Sequence, residues 1–311
     1  MVEKKIAFVY AGQGSQKKGM GEDFYHHSDP FKAWIETANQ ALLNSYQSLV
    51  FNAHIPLDET RYAQLALFLF SEGVRRHLAA HGLQASHTAG LSLGEYNALV
   101  DASVLDSYEA LELVQIRALA MHQTALEQAT SMMALRLDKA QVLELLKDNS
   151  STFLANHNAP LQCVVGGDEA GMNALNERLK EEGLKRGIPL KTSGAFHTPY
   201  MRSAQGALKQ ALLPVELQLP QKTLYQNVCG CAVSKVQTNA LVDHLTHPVL
   251  WADIMQGMVE DGVEVVLEIG PGNVLSKLFQ ATYPDIQTYQ ISTYEDAQKI
   301  VSILKGGTDY V

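Results

Sequence analysis

The strongest constraint on this chain is the pentapeptide GLSLG at residues 90–94, which has the spacing G-x-S-x-G. A short apolar stretch near Thr88 precedes it, and the helix-forming run YNALV follows it. A strand joined to a helix over so few residues needs a tight turn, and the flanking glycines remove side chains that would crowd it. We predict that Ser92 is exposed at a helix N-terminus, where the helix dipole and the Leu93 amide stabilise an oxyanion. A purely structural turn is the alternative interpretation of this motif.

A serine nucleophile needs a base, and His197 is the leading candidate. The chain has 11 histidines, so most of them are surface or core residues. His197 lies in SGAFHTPYM, a predicted loop, and His157 is the second candidate. Taken alone, His197 is better explained as an ordinary loop histidine, and only together with the serine motif does it become the leading candidate for the base.

Arg117 is notable because its helical neighbours are apolar. The residues three and four positions away are Leu113, Val114, Ala120 and Met121. An arginine on such a face is costly unless an anion pairs with it. One hypothesis is a buried ion pair with Glu95 or Glu112, and the other is a bidentate contact with a substrate carboxylate.

The Gly-rich segment GQGSQ at residues 12–16 follows the apolar run from Ile6 to Tyr10. It completes neither G-x-G-x-x-G nor a Walker motif, so phosphate binding is the weaker interpretation. We predict a loop after a buried strand, with backbone amides close to Ser92.

The order of predicted elements changes between residues 131 and 193. Strand and helix patterns alternate there as β-α-β-β-α-β, which is the order of a ferredoxin-like unit. We expect an α/β fold in which residues 129–193 form a small ferredoxin-like domain inserted in a large domain of residues 1–128 and 194–311.

Composition and charge exclude several classes. The net charge of −9 gives no reason to expect nucleic-acid binding. No segment is long and apolar enough for a membrane span, and the first residues do not form a signal peptide. Three cysteines show no metal spacing, so we expect reduced thiols, no bound metal and a cytoplasmic location.

Together these motifs resemble the malonyl-CoA:acyl carrier protein transacylases, a family that includes acyltransferases of fatty-acid and polyketide synthesis. The resemblance spans nearly the whole chain and includes, in order, GQGSQ, GLSLGEYNALV, Arg117, HNAP at 157–160, GAFHTPYM at 194–201 and EIGPGNVL at 268–275. It implies an α/β-hydrolase-like large domain with the ferredoxin-like insertion. It also implies transfer of a malonyl group from malonyl-CoA to an acyl carrier protein, without a cofactor.

The resemblance assigns roles to individual residues. It implies Ser92 as nucleophile, His197 as base and Arg117 as the ligand of the malonyl carboxylate. It further implies an oxyanion hole from the amides of Gln13 and Leu93, with Asn158 near the active-site mouth and Phe196 crowding an α-methyl branch.

Two residues depart from the family pattern. One departure concerns the selectivity for the acyl group, and the other concerns the group that orients the histidine base. Leu91 stands where the family often has histidine, and Leu250 stands where the family often has glutamine in the PVxW segment. The family's histidine is oriented by a main-chain carbonyl rather than a carboxylate, and we expect that acceptor in the PVxW segment.

Carrier proteins are typically acidic, as this chain is, so docking needs a local basic patch. Lys185 and Arg186 are the candidate patch, and a solvated pair of charges is the alternative. Two other functions remain open from the residues. A thioester hydrolase can use the same serine-histidine pair, and a non-catalytic docking protein needs neither residue.

Overall fold

The computed structural model describes residues 4–52 and 54–305. Within these residues the strands are β1 (Ile6–Tyr10), β2 (His87–Gly90), β3 (Thr130–Leu135), β4 (Thr152–Ala159), β5 (Gln162–Asp168), β6 (Ile188–Pro189), β7 (Thr223–Gln226), β8 (Cys231–Val233), β9 (Val265–Ile269) and β10 (Gln287–Ile291).

The helices of the described residues are α1 (Glu22–His27), α2 (Asp29–Ala38), α3 (Tyr46–Phe51), α4 (Thr60–Ala80), α5 (Gly94–Asp101), α6 (Ser107–Glu127), α7 (Lys139–Leu146), α8 (Glu169–Glu181), α9 (Arg202–Leu212), α10 (Thr238–Asp243), α11 (Trp251–Glu260), α12 (Val274–Thr282) and α13 (Tyr294–Leu304).

The large sheet has the order β10-β9-β1-β2-β7-β8, and its strands are parallel except for β8. Strand β1 is apolar along its whole length because both of its faces are covered. Phe8 and Tyr10 belong to the core on one side of the sheet, and Ala7 and Val9 belong to the core on the other side. This arrangement is the predicted α/β fold.

The second sheet is antiparallel and has the order β4-β5-β3-β6. Helices α7 and α8 cover one face, where Cys163 and Val165 contribute to a separate apolar core. Val164 points to the opposite face and packs into the core of the large sheet. The chain order β-α-β-β-α-β and this strand order give the ferredoxin-like unit that the sequence predicts.

Strands β1 and β2 are parallel neighbours, so the loops that follow them meet at one edge of the sheet. These loops carry the two Gly-rich motifs, at residues 12–16 and 90–94. The edge at the carboxyl ends of the strands is therefore where the candidate site forms.

The expectation of three reduced thiols is wrong for two of them. Cys229 and Cys231 are paired as a disulfide, with Cα atoms 5.2 Å apart. Cys229 lies in the tight turn that connects β7 to β8, and Cys231 is the first residue of β8. Cys163 is a free, buried thiol, as expected.

Candidate active site

Ser92 occupies the turn between β2 and α5 in a left-handed backbone conformation, with φ of 55°. Such a conformation is strained for a residue with a side chain, and strained turns of this kind present a nucleophile. A Cβ at Gly90 would collide with the backbone of Gly94, and one at Gly94 would collide with the backbone of Tyr10. The glycines are therefore required by the close approach of α5 to the sheet.

His197 forms a hydrogen-bonded serine–histidine dyad with Ser92. Its Nε2 lies 2.7 Å from Ser92 Oγ, and its Nδ1 lies 2.8 Å from the main-chain oxygen of His244. The carbonyl can only accept, so Nδ1 carries the proton and Nε2 is free to receive one from the serine. The arrangement matches a serine activated by an oriented general base.

The orienting carbonyl belongs to His244 and not to the PVxW segment. In the PVxW segment, which ends at Trp251, the Leu250 N–H donates to the main-chain oxygen of Asn227. The Nδ1 of His197 instead contacts the oxygen of His244, which precedes the segment. The expectation placed the acceptor too far along the chain because sequence spacing does not show which carbonyl faces the ring. Leu250 therefore leaves the orientation of His197 untouched.

The His197 ring is buried and neutral at physiological pH. Burial and, to a smaller extent, the Arg117 charge lower its pKa to about 3, against an opposing increase from the His244 hydrogen bond. A neutral imidazole is the form that accepts a proton. A bound anion on Arg117 would offset that charge and make the base stronger.

Arg117 lies at the base of the same site, 1% exposed on α6. It donates to Gln64 Oε1, and its second nitrogen lies 3.2 Å from Ser92 Oγ. None of the ion pairs among the described residues includes it, so the predicted pair with Glu95 or Glu112 does not form. The guanidinium is a buried cation without an ion-pair partner among these residues, and it lies beside Ser92 Oγ.

The backbone amides of Gln13 and Leu93 have no acceptor among the described residues. The Gln13 side chain donates to Thr60 Oγ1 at 2.7 Å, which fixes the loop after β1. Leu93 directly precedes α5, at the positive end of the helix. Two free amides on the loops beside Ser92 have the chemistry of an oxyanion hole.

A cleft of about 420 Å³ opens above the dyad. It is lined by Gln13, Gly14, Gln16, Asp58, Leu91, Ser92, Met121, Met132, Asn156, Asn158, Val164, Leu190, Lys191, Thr192, Phe196 and His197. Asn158 has a buried Oδ1 without a hydrogen-bond partner among the described residues, and Phe196 is almost fully buried. The motifs at residues 12–16, 90–100, 157–160 and 194–201 thus contribute to one cavity, and the EIGPGNVL segment does not line it.

Other candidates lie elsewhere. The His157 ring is directed to Asp253, 3.4 Å away, so it does not take part in the dyad. Lys185 and Arg186 are exposed after α8 and do not line the cleft, whereas Lys191 does.

Sequence reasoning did not find Asn227 or Gln64. Asn227 follows β7, and its side chain accepts the Ser92 N–H at 2.8 Å and donates to the Gly90 oxygen at 2.7 Å. Gln64 shares the buried face of α4 with apolar residues and positions Arg117. In the sequence, the signal for Gln64 was a polar residue within the mostly apolar stretch that forms α4.

The described residues contain no cluster of histidine, cysteine, aspartate or glutamate that fits a metal ion. None of their helices is long and apolar enough to cross a membrane.

Comparison with known proteins identifies the family. The profile of the family described as acyl transferase domain matches residues 7–305. The malonyl CoA-acyl carrier protein transacylase of Bacillus subtilis is 32% identical, covering 98% of this chain and 99% of its own length. This chain belongs to the malonyl-CoA–acyl carrier protein transacylase family.

Solved structures of the family agree. The transacylase of Clostridium perfringens superposes with a TM-score of 0.91 at 28% identity, over 97% of this chain and 98% of its own. The acyltransferase domain from the second module of the salinomycin polyketide synthase gives 0.89 at 27%, over 97% of this chain and 72% of its own. The chain is therefore an acyltransferase, and the hydrolase alternative has no support from these comparisons.

Proposed function

We propose that this protein transfers a malonyl group from malonyl-CoA to the phosphopantetheine thiol of an acyl carrier protein, through an ester on Ser92. The product serves fatty-acid or polyketide synthesis. The reaction is ping-pong, because the same serine first receives the acyl group and then gives it up.

In the first half-reaction, Ser92 Oγ attacks the thioester carbonyl while His197 Nε2 takes the hydroxyl proton. The amides of Gln13 and Leu93 stabilise the oxyanion of the tetrahedral intermediate. The C–S bond then breaks, and the coenzyme A thiolate leaves with the proton from His197.

In the second half-reaction, the carrier thiol loses its proton to His197 and attacks the Ser92 ester. The C–O bond breaks, and the serine oxygen recovers the proton. No step calls for a metal or organic cofactor, since the side chains and amides supply every proton transfer and charge contact.

The observation that carries the malonyl assignment is Arg117, a buried cation without a protein anion, 3.2 Å from the nucleophilic oxygen. A terminal carboxylate of the acyl group is the anion that fits, and a bidentate contact would place the thioester near Ser92. In this proposal Asn158 binds the acyl group at the mouth, and Phe196 excludes an α-branch.

Intact-mass spectrometry after incubation with malonyl-CoA tests the nucleophile. We expect a malonyl adduct on the wild type and on Ser131→Ala, which removes an exposed serine of β3, and none on Ser92→Ala. Losing a nucleophile costs several orders of magnitude in rate. A malonyl adduct that persists on Ser92→Ala contradicts the assignment.

Three further parts of the proposal concern the whole protein. Residues 129–193 form the small domain, and residues 1–128 and 194–311 form the large one, a division supported by the two separate sheets. Lys185 and Arg186 dock the acidic carrier, supported by their exposure. The location is cytoplasmic, where a coenzyme A thioester is available as substrate.

A further inference from the structure

A buried carboxyl group lies behind the dyad, which has no carboxylate of its own. Glu95, in the first turn of α5, is 1% exposed. Its Oε1 accepts from Gln226 Nε2 at 3.1 Å, and its Oε2 accepts from the Asn227 N–H at 3.2 Å. The same Oε2 lies 3.3 Å from Nδ1 of His244. One side chain therefore contacts three polar groups from two other segments.

One of these contacts leads to the nucleophile. The Asn227 side chain bridges the two ends of the strained turn, with Oδ1 2.8 Å from the Ser92 N–H and Nδ2 2.7 Å from the Gly90 oxygen. Asn227 is fully buried, and its own backbone is held by Glu95. The φ of 55° at Ser92 is thus maintained by an amide that depends on the carboxylate.

The other contact leads to the base. The His244 ring stacks on the His197 ring with centroids 4.9 Å apart and planes 29° apart. The main-chain oxygen of His244 also accepts the Nδ1 proton of His197. A shift of His244 would therefore move both the acceptor and the surface against which the catalytic imidazole rests.

We propose that Glu95 is a positioning residue for both catalytic side chains. It acts on the serine through Asn227 and on the histidine through His244. This inference rests on the proposed function, since it assumes that Ser92 and His197 perform the chemistry.

The energetics of burial support a functional reason for keeping this group. Desolvation raises the pKa of Glu95 to about 7, against the opposing effects of Gln226, Asn227 and the Arg117 charge. Two other titratable groups lie against Glu95. They are His244, whose own pKa is lowered by burial, and Tyr96 on the same helix, whose pKa is raised by burial. An ionised carboxylate at this position costs stability, and a role in aligning the groups around it gives a functional reason for that cost.

The test is Glu95→Gln, which keeps the shape but leaves one of the polar contacts without an acceptor. We expect kcat for transfer to a carrier protein to fall about 10- to 100-fold, because small displacements of reacting groups have effects of this size. The KM for malonyl-CoA should stay within about two-fold, because no substrate contact is removed.

The matched control is Glu268→Gln. Glu268 is another 1% exposed carboxylate, which accepts the backbone N–H groups of Leu275 and Ser276 at 3.0 and 2.8 Å. It lies on β9 and holds the start of α12, so its loss should lower the melting temperature and leave kcat unchanged. A purely structural Glu95 would behave in the same way as Glu268.

A second variant keeps the proposal testable if Glu95→Gln does not fold. His244→Phe keeps a ring against His197 and keeps the main-chain acceptor. It removes both ring nitrogens, Nδ1, which faces Glu95, and Nε2, which has no hydrogen-bond partner among the described residues. We expect about a ten-fold lower kcat with unchanged KM. An unchanged kcat in the folded Glu95→Gln protein, or in His244→Phe if the first variant does not fold, overturns the proposal. Comparing the intact masses of the wild type and Ser92→Ala separates this failure from failure of the Ser92 assignment. An adduct on the wild type that is absent from Ser92→Ala supports Ser92 whether or not Glu95 has this role.

Discussion

In the proposed function, Arg117 is the residue that determines which acyl group the cleft accepts. Burial lowers the pKa of its guanidinium, although the group remains charged, and Tyr96 and Glu95 oppose the decrease. The ring of Tyr96 lies 5.7 Å from the guanidinium carbon, which contributes a weak cation–π contact. Tyr96 and Glu95 reduce the cost of burying the Arg117 charge without neutralising it. The guanidinium therefore remains available to pair with the anion of a substrate.

We expect Arg117→Ala to weaken loading of malonyl-CoA by about 1.5–3 kcal/mol, the value of a hydrogen bond to a charged group. Loading of acetyl-CoA should be retained or increase, because the variant removes an unpaired charge from the cleft. Acylation rates measured by quench and intact mass provide the comparison. Arg178→Ala, which removes a partly exposed arginine of α8, is the control and should change neither rate. Equal losses with both thioesters would mean that Arg117 is structural.

At the scale of the elements, the site depends on how closely α5 approaches the strand β1. The backbone of Gly94 lies against the backbone of Tyr10, with no room for a methyl group between them. Two parallel strands and one helix thus fix the position of Ser92, and the Gly-rich loop after β1 lies beside it. The precision of the dyad is a property of this packing.

Gly94→Ala should therefore separate α5 from β1. We expect a loss of stability of about 1–3 kcal/mol, the usual cost of overpacking, and a loss of the malonyl adduct in the protein that remains folded. Thermal unfolding and intact mass measure the two effects. Gly206→Ala is the matched control, because a Cβ there meets nothing within 4 Å on α9. It should raise stability by up to about 1 kcal/mol and keep full loading, since alanine favours a helix.

At the scale of the whole molecule, ionisation of Glu95 links stability to pH. Its pKa is raised in the folded protein from 4.5 to about 7, so the folded state holds a proton that the unfolded state releases. The folded state is thus disfavoured as pH rises from 4.5 to 7, by up to about 3 kcal/mol. Glu95→Gln removes this penalty.

We expect the melting temperature of Glu95→Gln, relative to the wild type, to be higher at pH 8 than at pH 5. Unfolding curves of both proteins at the two pH values measure the difference. The same relative melting temperature at both pH values would mean that Glu95 has an ordinary pKa in the folded protein.

Docking of the carrier is also a property of the whole surface. Reversing Lys185 and Arg186 to glutamate should raise the KM for an acidic carrier protein at low salt, because like charges repel. The effect should shrink as salt rises, since exposed charges are screened over roughly 10 Å at 0.1 M. Reversal of Lys235 and Lys277, two exposed lysines that do not line the cleft, should have less effect. An unchanged KM in the Lys185/Arg186 variant would mean that the carrier docks elsewhere, and Lys191, which lines the cleft, would be the next residue to reverse.

Patterns along the chain were sufficient to predict the serine turn, the α/β class and the β-α-β-β-α-β order of the insertion. These features are local, because they depend on glycine spacing, apolar runs and helix periodicity within a few tens of residues. The assignment of His197 came from its motif, and the structure adds the 2.7 Å contact with Ser92.

Only the tertiary structure revealed the groups that support the dyad, namely the carbonyl of His244, the side-chain amide of Asn227 and the carboxyl group of Glu95. The contact from Ser92 to Asn227 joins residues 135 positions apart, and that from His197 to His244 joins residues 47 apart. No local pattern specifies which carbonyl faces a ring or which side chain spans a turn, because these depend on how distant elements pack. Residue types and their spacing thus predict the proposed reacting groups, whereas packing selects the groups that hold them in place.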